Sequence, residues 1–104
     1  RPWCIGKAFD HSAPIGPITP LAQAGDVNNA EISLQVNGSD RQRSTVAKLI
    51  WNVAETIEHL SAAWELQPGD LIYTGTPEGV AAVVQGDTLV GTVAGLGTLR
   101  VQIA

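Results

Sequence analysis

The 104-residue sequence contains a single cysteine, Cys4, and no methionine. One cysteine cannot form an internal disulfide or a thiolate metal cluster, so we predict a reducing compartment and a cytoplasmic protein. Basic residues are also scarce. The sequence has six Lys and Arg and ten Asp and Glu, which gives a net charge of −4. Only Arg41 and Arg43 lie close together. We therefore expect no nucleic-acid partner, because binding a polyanion requires clustered basic residues.

Long hydrophobic runs are missing as well. The longest run is far short of the roughly 20 residues that a membrane-spanning helix requires, so no membrane partner is expected. The sequence opens at Arg1 in the middle of a motif and not on a targeting segment, and we interpret it as the carboxy-terminal part of a longer protein. Hydrophobic residues nevertheless make up 44% of the chain. This composition predicts one globular unit over residues 1–104.

Alternating apolar and polar residues predict several short β-strands. Ile32, Leu34 and Val36 alternate with polar residues, and Asn37-Gly38 favours a tight hairpin because both residues tolerate a positive φ. A short return strand follows at 39–43. Leucine, valine and isoleucine alternate again near the end of the chain, on either side of a glycine-containing turn. Strands are therefore predicted near 32–36, 39–43, 71–73, 89–93 and 99–103.

One segment has the period of a helix instead. Apolar residues recur every three or four positions from Val46 to Trp64, and Ser44 or Thr45 can cap the amino terminus. We predict one long helix over residues 45–63. A single helix among several short strands, without strand–helix alternation, indicates an α+β fold dominated by β-structure.

The first 20 residues contain four prolines, which exclude a long helix. Their apolar side chains predict a buried, shaped loop, with Lys7 between Ile5 and Phe9. A lysine among apolar neighbours can stabilise a developing oxyanion, although most lysines are solvated surface groups. Gly6-Lys7 is no phosphate-binding loop, because the earlier glycine and the following hydroxyl residue are missing. Asp10-His11-Ser12 is no catalytic triad, because consecutive side chains point apart.

The strongest local signal is the glycine turn, which we define as residues 74–80. Gly75 has a threonine on each side, and Pro77 follows the second threonine. Such a turn lets backbone amides and the Thr76 hydroxyl approach an oxygen-rich ligand closely. The alternative is a turn that only redirects the chain, and the residues by themselves favour neither. Since His11 and His59 are isolated, the sequence predicts no metal site.

Several motifs together resemble the carboxy-terminal half of the fumarylacetoacetate hydrolase family. The resemblance runs from about Trp3 to Ala104, and within the family it is strongest to short bacterial fumarylpyruvate and maleylpyruvate hydrolases. The motifs occur in family order: Lys7-Ala8-Phe9-Asp10, Pro14-Ile15-Gly16-Pro17, Val36-Asn37-Gly38, Arg41-Gln42, Pro68-Gly69-Asp70 and Thr74-Gly75-Thr76-Pro77-Glu78-Gly79-Val80.

The resemblance implies part of a mixed β-roll in a homodimeric enzyme. Such enzymes cleave a C–C bond of an acylpyruvate, a small diketo acid such as fumarylpyruvate, during degradation of aromatic compounds. The resemblance also implies a divalent cation, commonly magnesium, whose ligands lie upstream of this chain. Lys7 matches the family lysine near metal and substrate. Thr76 matches a threonine that binds substrate oxygen, and Gly75 permits the close approach.

Two further hypotheses remain open at this stage. Some relatives isomerise, tautomerise or decarboxylate similar molecules, and the residues that separate these reactions are not in this chain. The chain could also be an inactive fragment or a binding module. In either case, we expect a partial β-roll to expose strand edges and apolar surface, which a complementary segment or a partner subunit would cover.

Overall fold

The computed structural model describes residues 3–104 and contains helices and strands in about the predicted proportion. The predicted α+β class with dominant β-structure is confirmed. Three single turns of 3-10 helix, Leu21–Gln23, Val27–Asn29 and Val46–Lys48, connect the main elements. The helices are α1 (Trp3–Lys7) and α2 (Val53–Ala63), and the strands are β1 (Glu31–Val36), β2 (Ser39–Thr45), β3 (Thr88–Val93) and β4 (Gly97–Gln102).

The four strands form one antiparallel sheet in the order β2-β1-β3-β4. Both predicted hairpins are confirmed, since β2 follows β1 and β4 follows β3 through short turns. In the first turn, Asn37 has a φ of 52° and Gly38 a φ of 83°, the two positive values that a two-residue hairpin favours. The hairpins join where β1 pairs with β3, a long-range pairing that runs from Ile32–Val93 to Val36–Leu89.

Strand β2 contains a β-bulge in its pairing with β1. Leu34 pairs with Gln42, whereas the next residue, Gln35, pairs with Asp40. Arg41 is therefore the extra residue of β2. A bulge interrupts the strict alternation of side chains and redirects the residues beside it.

The helix predicted over residues 45–63 is wrong in its first eight positions. Thr45 ends β2, a 3-10 turn follows, and α2 begins only at Val53. Asn52 caps α2, because its side-chain oxygen accepts a hydrogen bond from the Glu55 amide at 2.8 Å. The Glu55 carboxylate accepts one from the Asn52 amide at 3.2 Å. This capping box sets the helix start, although the apolar period continues upstream of it.

Two further predictions are also wrong. Residues 71–73 form an irregular segment and not a strand. The opening segment is exposed and not buried, since Ile5 is 78% and Phe9 64% exposed. Its apolar composition favours burial, but no part of the chain within residues 3–104 covers these side chains.

The buried core of the described chain is small. Only Ala24, Ala30 and Val36 are buried among residues 3–104. No helix in this range is long and apolar enough to cross a membrane. Many large apolar side chains are exposed instead, among them Trp3, Ile5, Phe9, Ile18, Leu21, Ile50, Trp51, Trp64, Leu71, Val80 and Val84.

Candidate active site

The backbone of the glycine turn takes a conformation that favours glycine at two positions. Gly75 has a φ of 91° and Gly79 a φ of 101°, and residues with a side chain rarely adopt such values. A Cβ atom built on Gly75 would meet no other atom within 4 Å. The space above Gly75 is therefore open, and a ligand can approach the backbone there.

Gln42 of β2 holds the glycine turn by its side-chain amide. Its Nε2 atom donates hydrogen bonds to the Thr76 hydroxyl at 2.8 Å and to the Pro77 carbonyl at 2.7 Å. A longer contact reaches the Glu78 carbonyl at 3.4 Å. The Thr76 hydroxyl lies 3.2 Å from Gln42 Oε1, to which it can donate its own proton. The orientation of the Thr76 side chain is thus set from the sheet.

The far end of the glycine turn also rests on β2. A Cβ atom on Gly79 would lie 2.5 Å from the Arg41 carbonyl oxygen and 3.2 Å from Gln42 Cγ. Real Cβ atoms do not approach a carbonyl so closely, so Gly79 allows the two backbones to touch. Arg41 adds a long hydrogen bond, 3.5 Å from Nη1 to the Ala82 carbonyl. Arg41 and Gln42 therefore both contact the segment over residues 76–82.

Beside the glycine turn lies an open groove of about 760 Å³, which we call the threonine groove. Its lining includes residues 74–78 on one side and apolar residues of the sheet, such as Ile32 and Val93, on another. Lys48 and Glu78 contribute one charge of each sign. An open groove with an apolar wall and a few polar groups is the usual form of a small-molecule site.

Tyr73 links the glycine turn to the opening segment. Its hydroxyl donates a hydrogen bond to the Ala13 carbonyl at 3.1 Å, and the Pro14 carbonyl is 3.4 Å away. Thr19 and Leu21 then line the threonine groove. The proline-rich segment over residues 13–21 thus runs beside the glycine turn.

Lys7 lies apart from these groups, at the carboxy-terminal end of α1. Its ammonium is exposed and lies 5.0 Å from the centre of the Trp3 ring, a favourable cation–π arrangement. Lys7 does not line the threonine groove formed by the described chain. Within the described chain, Gly75 and Thr76 thus both line the threonine groove, whereas Lys7 does not. The predicted role of Lys7 stays a prediction.

A second groove lies along α2 and has a more aromatic lining. It has a volume of about 960 Å³ and includes Trp51, His59, Trp64 and Tyr73. The rings of Trp51 and His59 stack with their centres 3.9 Å apart. The sequence places His59 close to the helix end, but its ring packs on Trp51. Thr74 lines both grooves, so they meet at the glycine turn.

The turn, the groove and the sheet behind them match a known protein family. Residues 1–104 match the family model described as fumarylacetoacetate (FAA) hydrolase C-terminal. The chain belongs to the fumarylacetoacetate hydrolase family. It is 48% identical over 103 residues to the fumarylpyruvate hydrolase of a Ralstonia species, covering 99% of this chain and 53% of the relative. The chain therefore spans about half the length of that relative.

Two further members illustrate the range of activities in the family. The fumarylpyruvate hydrolase from Pseudomonas aeruginosa, whose crystal structure is in complex with Mn²⁺ and pyruvate, is 59% identical in sequence to this chain. The two structures superpose with a TM-score of 0.95. The match covers the whole of this chain and 45% of that one. The oxaloacetate tautomerase YcgM of Escherichia coli is 41% identical, over 88% of this chain and 42% of its own length.

The described residues of this family member do not by themselves fit a metal ion. Among residues 3–104, no three His, Cys, Asp or Glu side chains come together as a possible metal site. A cation bound near the threonine groove would need ligands from outside this chain.

The contacts of Gln42 and Tyr73 could not be predicted from the sequence. Gln42 belongs to one of the motifs that carry the family resemblance, but its spacing gives no sign of a contact with Thr76, 34 residues away. Tyr73 lies two residues before Gly75, yet its partner Ala13 is 60 residues distant. Only the tertiary fold reveals either contact.

Proposed function

We propose that the protein containing this chain is an acylpyruvate hydrolase. Its substrate is a small diketo acid such as fumarylpyruvate, and the reaction is hydrolysis of a C–C bond during breakdown of aromatic compounds. The observation that carries this proposal is the oriented Thr76 hydroxyl beside the open backbone at Gly75. The similarity to two fumarylpyruvate hydrolases supports the choice of substrate.

The Thr76 hydroxyl binds an oxygen of the substrate in this proposal. A hydroxyl has one proton to donate and two lone pairs, and Gln42 Nε2 occupies one lone pair at 2.8 Å. The proton can turn from Gln42 Oε1 to a substrate oxygen. Thr76 and Gly75 therefore orient the substrate, and a Thr76→Val variant should mainly raise KM.

The Lys7 ammonium stabilises negative charge in the same proposal. Cleavage of an acylpyruvate leaves a pyruvate enolate, whose oxygen is an anion, and a fixed ammonium favours its formation. In the described chain, Lys7 contacts the Trp3 ring and lies outside the threonine groove. The assignment rests on the match of Lys7-Ala8-Phe9-Asp10 to the family motif. Tyr73 joins the glycine turn to Ala13, which follows this motif in the opening segment.

We further propose that the complete enzyme holds a divalent cation, magnesium under cellular conditions, through residues outside this chain. When bound, such a cation supplies Lewis-acid chemistry. Support comes from the Mn²⁺ in the homologous Pseudomonas complex. In the proposed complete protein, residues 1–104 are the carboxy-terminal part of the catalytic domain.

The complete protein is proposed to be a cytoplasmic homodimer. Large apolar side chains are exposed in the described chain, among them Trp3 at 68% and Ile5 at 78%, and large exposed apolar patches commonly mark protein–protein interfaces. The other part of the domain and a partner subunit would cover this surface. Size-exclusion chromatography with light scattering would test the dimer.

An oxaloacetate tautomerase or decarboxylase is the second candidate function, favoured by the 41% identity to the E. coli tautomerase. The two functions are tested by assaying the complete protein, with magnesium, on fumarylpyruvate and on enol-oxaloacetate. Our proposal expects a kcat/KM at least about tenfold higher for fumarylpyruvate hydrolysis. Faster turnover of oxaloacetate would establish the second candidate. If the folded protein shows neither activity, a binding module is favoured.

A further inference from the structure

We propose that Gln42 is a positioning residue, which presents the Thr76 hydroxyl to an anionic oxygen of the ligand. The inference rests on the proposed function, because it assumes that Thr76 binds substrate. It goes beyond that function by assigning a task to Gln42, a residue of strand β2.

The bulge explains how β2 reaches the glycine turn with two consecutive residues. In a regular strand, neighbouring side chains point to opposite faces. Arg41 is the extra residue of the bulge, and both Arg41 and Gln42 contact the segment over residues 76–82. A bulge redirects side chains in this way and is common beside active sites. The bulge thus allows Gln42 to contact the turn together with its neighbour.

The hydrogen-bond capacity of the Gln42 amide is well matched to the turn. An amide NH₂ group has two protons, and its two short bonds go to the Thr76 hydroxyl at 2.8 Å and to the Pro77 carbonyl at 2.7 Å. The carbonyls of Pro77 and Glu78 can only accept hydrogen bonds, so the nitrogen of the amide must face them. Gln42 therefore donates to Thr76, and the amide cannot be reversed without placing Oε1 against the Pro77 carbonyl.

This direction of donation determines what the Thr76 hydroxyl can do. With one lone pair occupied by Nε2, its proton has only the longer contact to Gln42 Oε1, at 3.2 Å. A carboxylate or enolate oxygen in the threonine groove would be a stronger acceptor and would take that proton. Gln42 itself does not line the groove within the described residues. It acts through Thr76 and need not touch the ligand.

The test uses the complete protein and the variants Gln42→Ala, Gln42→Glu and Thr76→Val, with fumarylpyruvate as substrate. Gln42→Glu keeps the size of the side chain but replaces the donor with a carboxylate, which repels the Pro77 carbonyl and captures the Thr76 proton. Gln35→Ala is the matched control, since Gln35 lies on the neighbouring strand and its amide contacts Asp40. Thermal unfolding of each variant reports whether the fold is retained.

We expect both Gln42 variants to raise KM by about tenfold, with kcat changed by less than about threefold. Gln35→Ala should leave both constants within about twofold. In the Thr76→Val background, Gln42→Ala should raise KM by less than about twofold further, because the residue it positions is already gone. A general loss of stability would lower kcat as well. A contact of Gln42 with the substrate that is independent of Thr76 would raise KM equally in both backgrounds.

Three results would overturn the inference, and the first two leave the proposed role of Thr76 intact. If Thr76→Val raises KM but folded Gln42 variants do not, or if the effects of the two residues multiply fully, Gln42 does not act through Thr76. If Thr76→Val leaves KM unchanged, Thr76 is not a substrate ligand. In that case the proposed role of Thr76 and the inference on Gln42 both fail.

Discussion

The sheet and the apolar segments that flank it differ sharply in how they are held. The four strands are held together by backbone hydrogen bonds in three antiparallel pairings. By contrast, the opening segment over residues 3–21 contributes no buried side chain, and the segment over 64–84 is irregular and mostly exposed. Yet these two segments carry Lys7, Gly75 and Thr76. The residues proposed to act in the reaction therefore lie on exposed segments with few buried side chains. Strand β2 of the sheet positions the glycine turn through Gln42.

The largest expected effect is on catalysis and tests whether the opening segment carries chemistry. Lys7→Ala should lower kcat of the complete enzyme roughly a hundredfold, because a fixed donor to a developing oxyanion contributes about 3 kcal/mol at the transition state. Steady-state kinetics on fumarylpyruvate would measure it. Urea unfolding of the same variant would show whether a loss of kcat reflects a loss of folding. A loss below about threefold would remove Lys7 from the mechanism.

The next effect tests the contact between the glycine turn and the sheet. Gly79→Ala should lower the free energy of unfolding by about 2–4 kcal/mol, since it combines a strained φ with a clash against the Arg41 carbonyl. Gly86→Ala is the matched control, because Gly86 has a φ of 90° but open space around its Cβ position. Urea unfolding of the complete protein would compare the two. Equal losses would show that the turn moves away from β2 at little cost.

A smaller effect tests the connection between the two hairpins. The Asp87 carboxylate accepts hydrogen bonds from the Val84 amide and from Asn37 Nδ2, and these bonds lower its pKa from 3.8. The folded protein therefore binds this proton less readily than the unfolded chain does. The resulting stability is present above about pH 4 and is lost as the pH falls through the lowered pKa.

Asp87→Asn should remove this part of the pH dependence. The difference in urea midpoint between wild type and variant should be largest near pH 7 and should shrink below pH 4. Asp26→Asn is a suitable control, because Asp26 lies in a different turn, where its carboxylate bonds to Asn29. A difference that is independent of pH would show that the Asp87 charge is not involved.

The smallest effect concerns the surface of the sheet. Arg43 forms ion pairs with Glu31 and Asp40, but all three side chains are about half exposed. Water and salt weaken such pairs, so Arg43→Ala should cost no more than about 1 kcal/mol, and less in high salt. Urea unfolding at two salt concentrations would measure it. A larger, salt-independent loss would mean that the guanidinium packs on the sheet.

Sequence reasoning was most successful where structure is encoded locally. The Asn37-Gly38 turn and the alternation in β1 each depend on a few adjacent residues. It failed where two local signals competed. The apolar period upstream of residue 53 suggested a longer helix, but the Asn52–Glu55 capping box decided where α2 begins. It also failed for the opening segment, because burial depends on what covers a side chain.

The sequence by itself determined the family, the hairpins and the glycine turn, since short motifs and residue spacing encode all three. The tertiary structure alone decided which side chains meet at the candidate site. Gln42 reaches Thr76 beside the bulge in β2, and Tyr73 reaches Ala13 where the chain folds back on itself. Hydrogen bonds between residues 34 or 60 positions apart depend on the packing of whole elements, and the spacing of residues along the chain does not encode them.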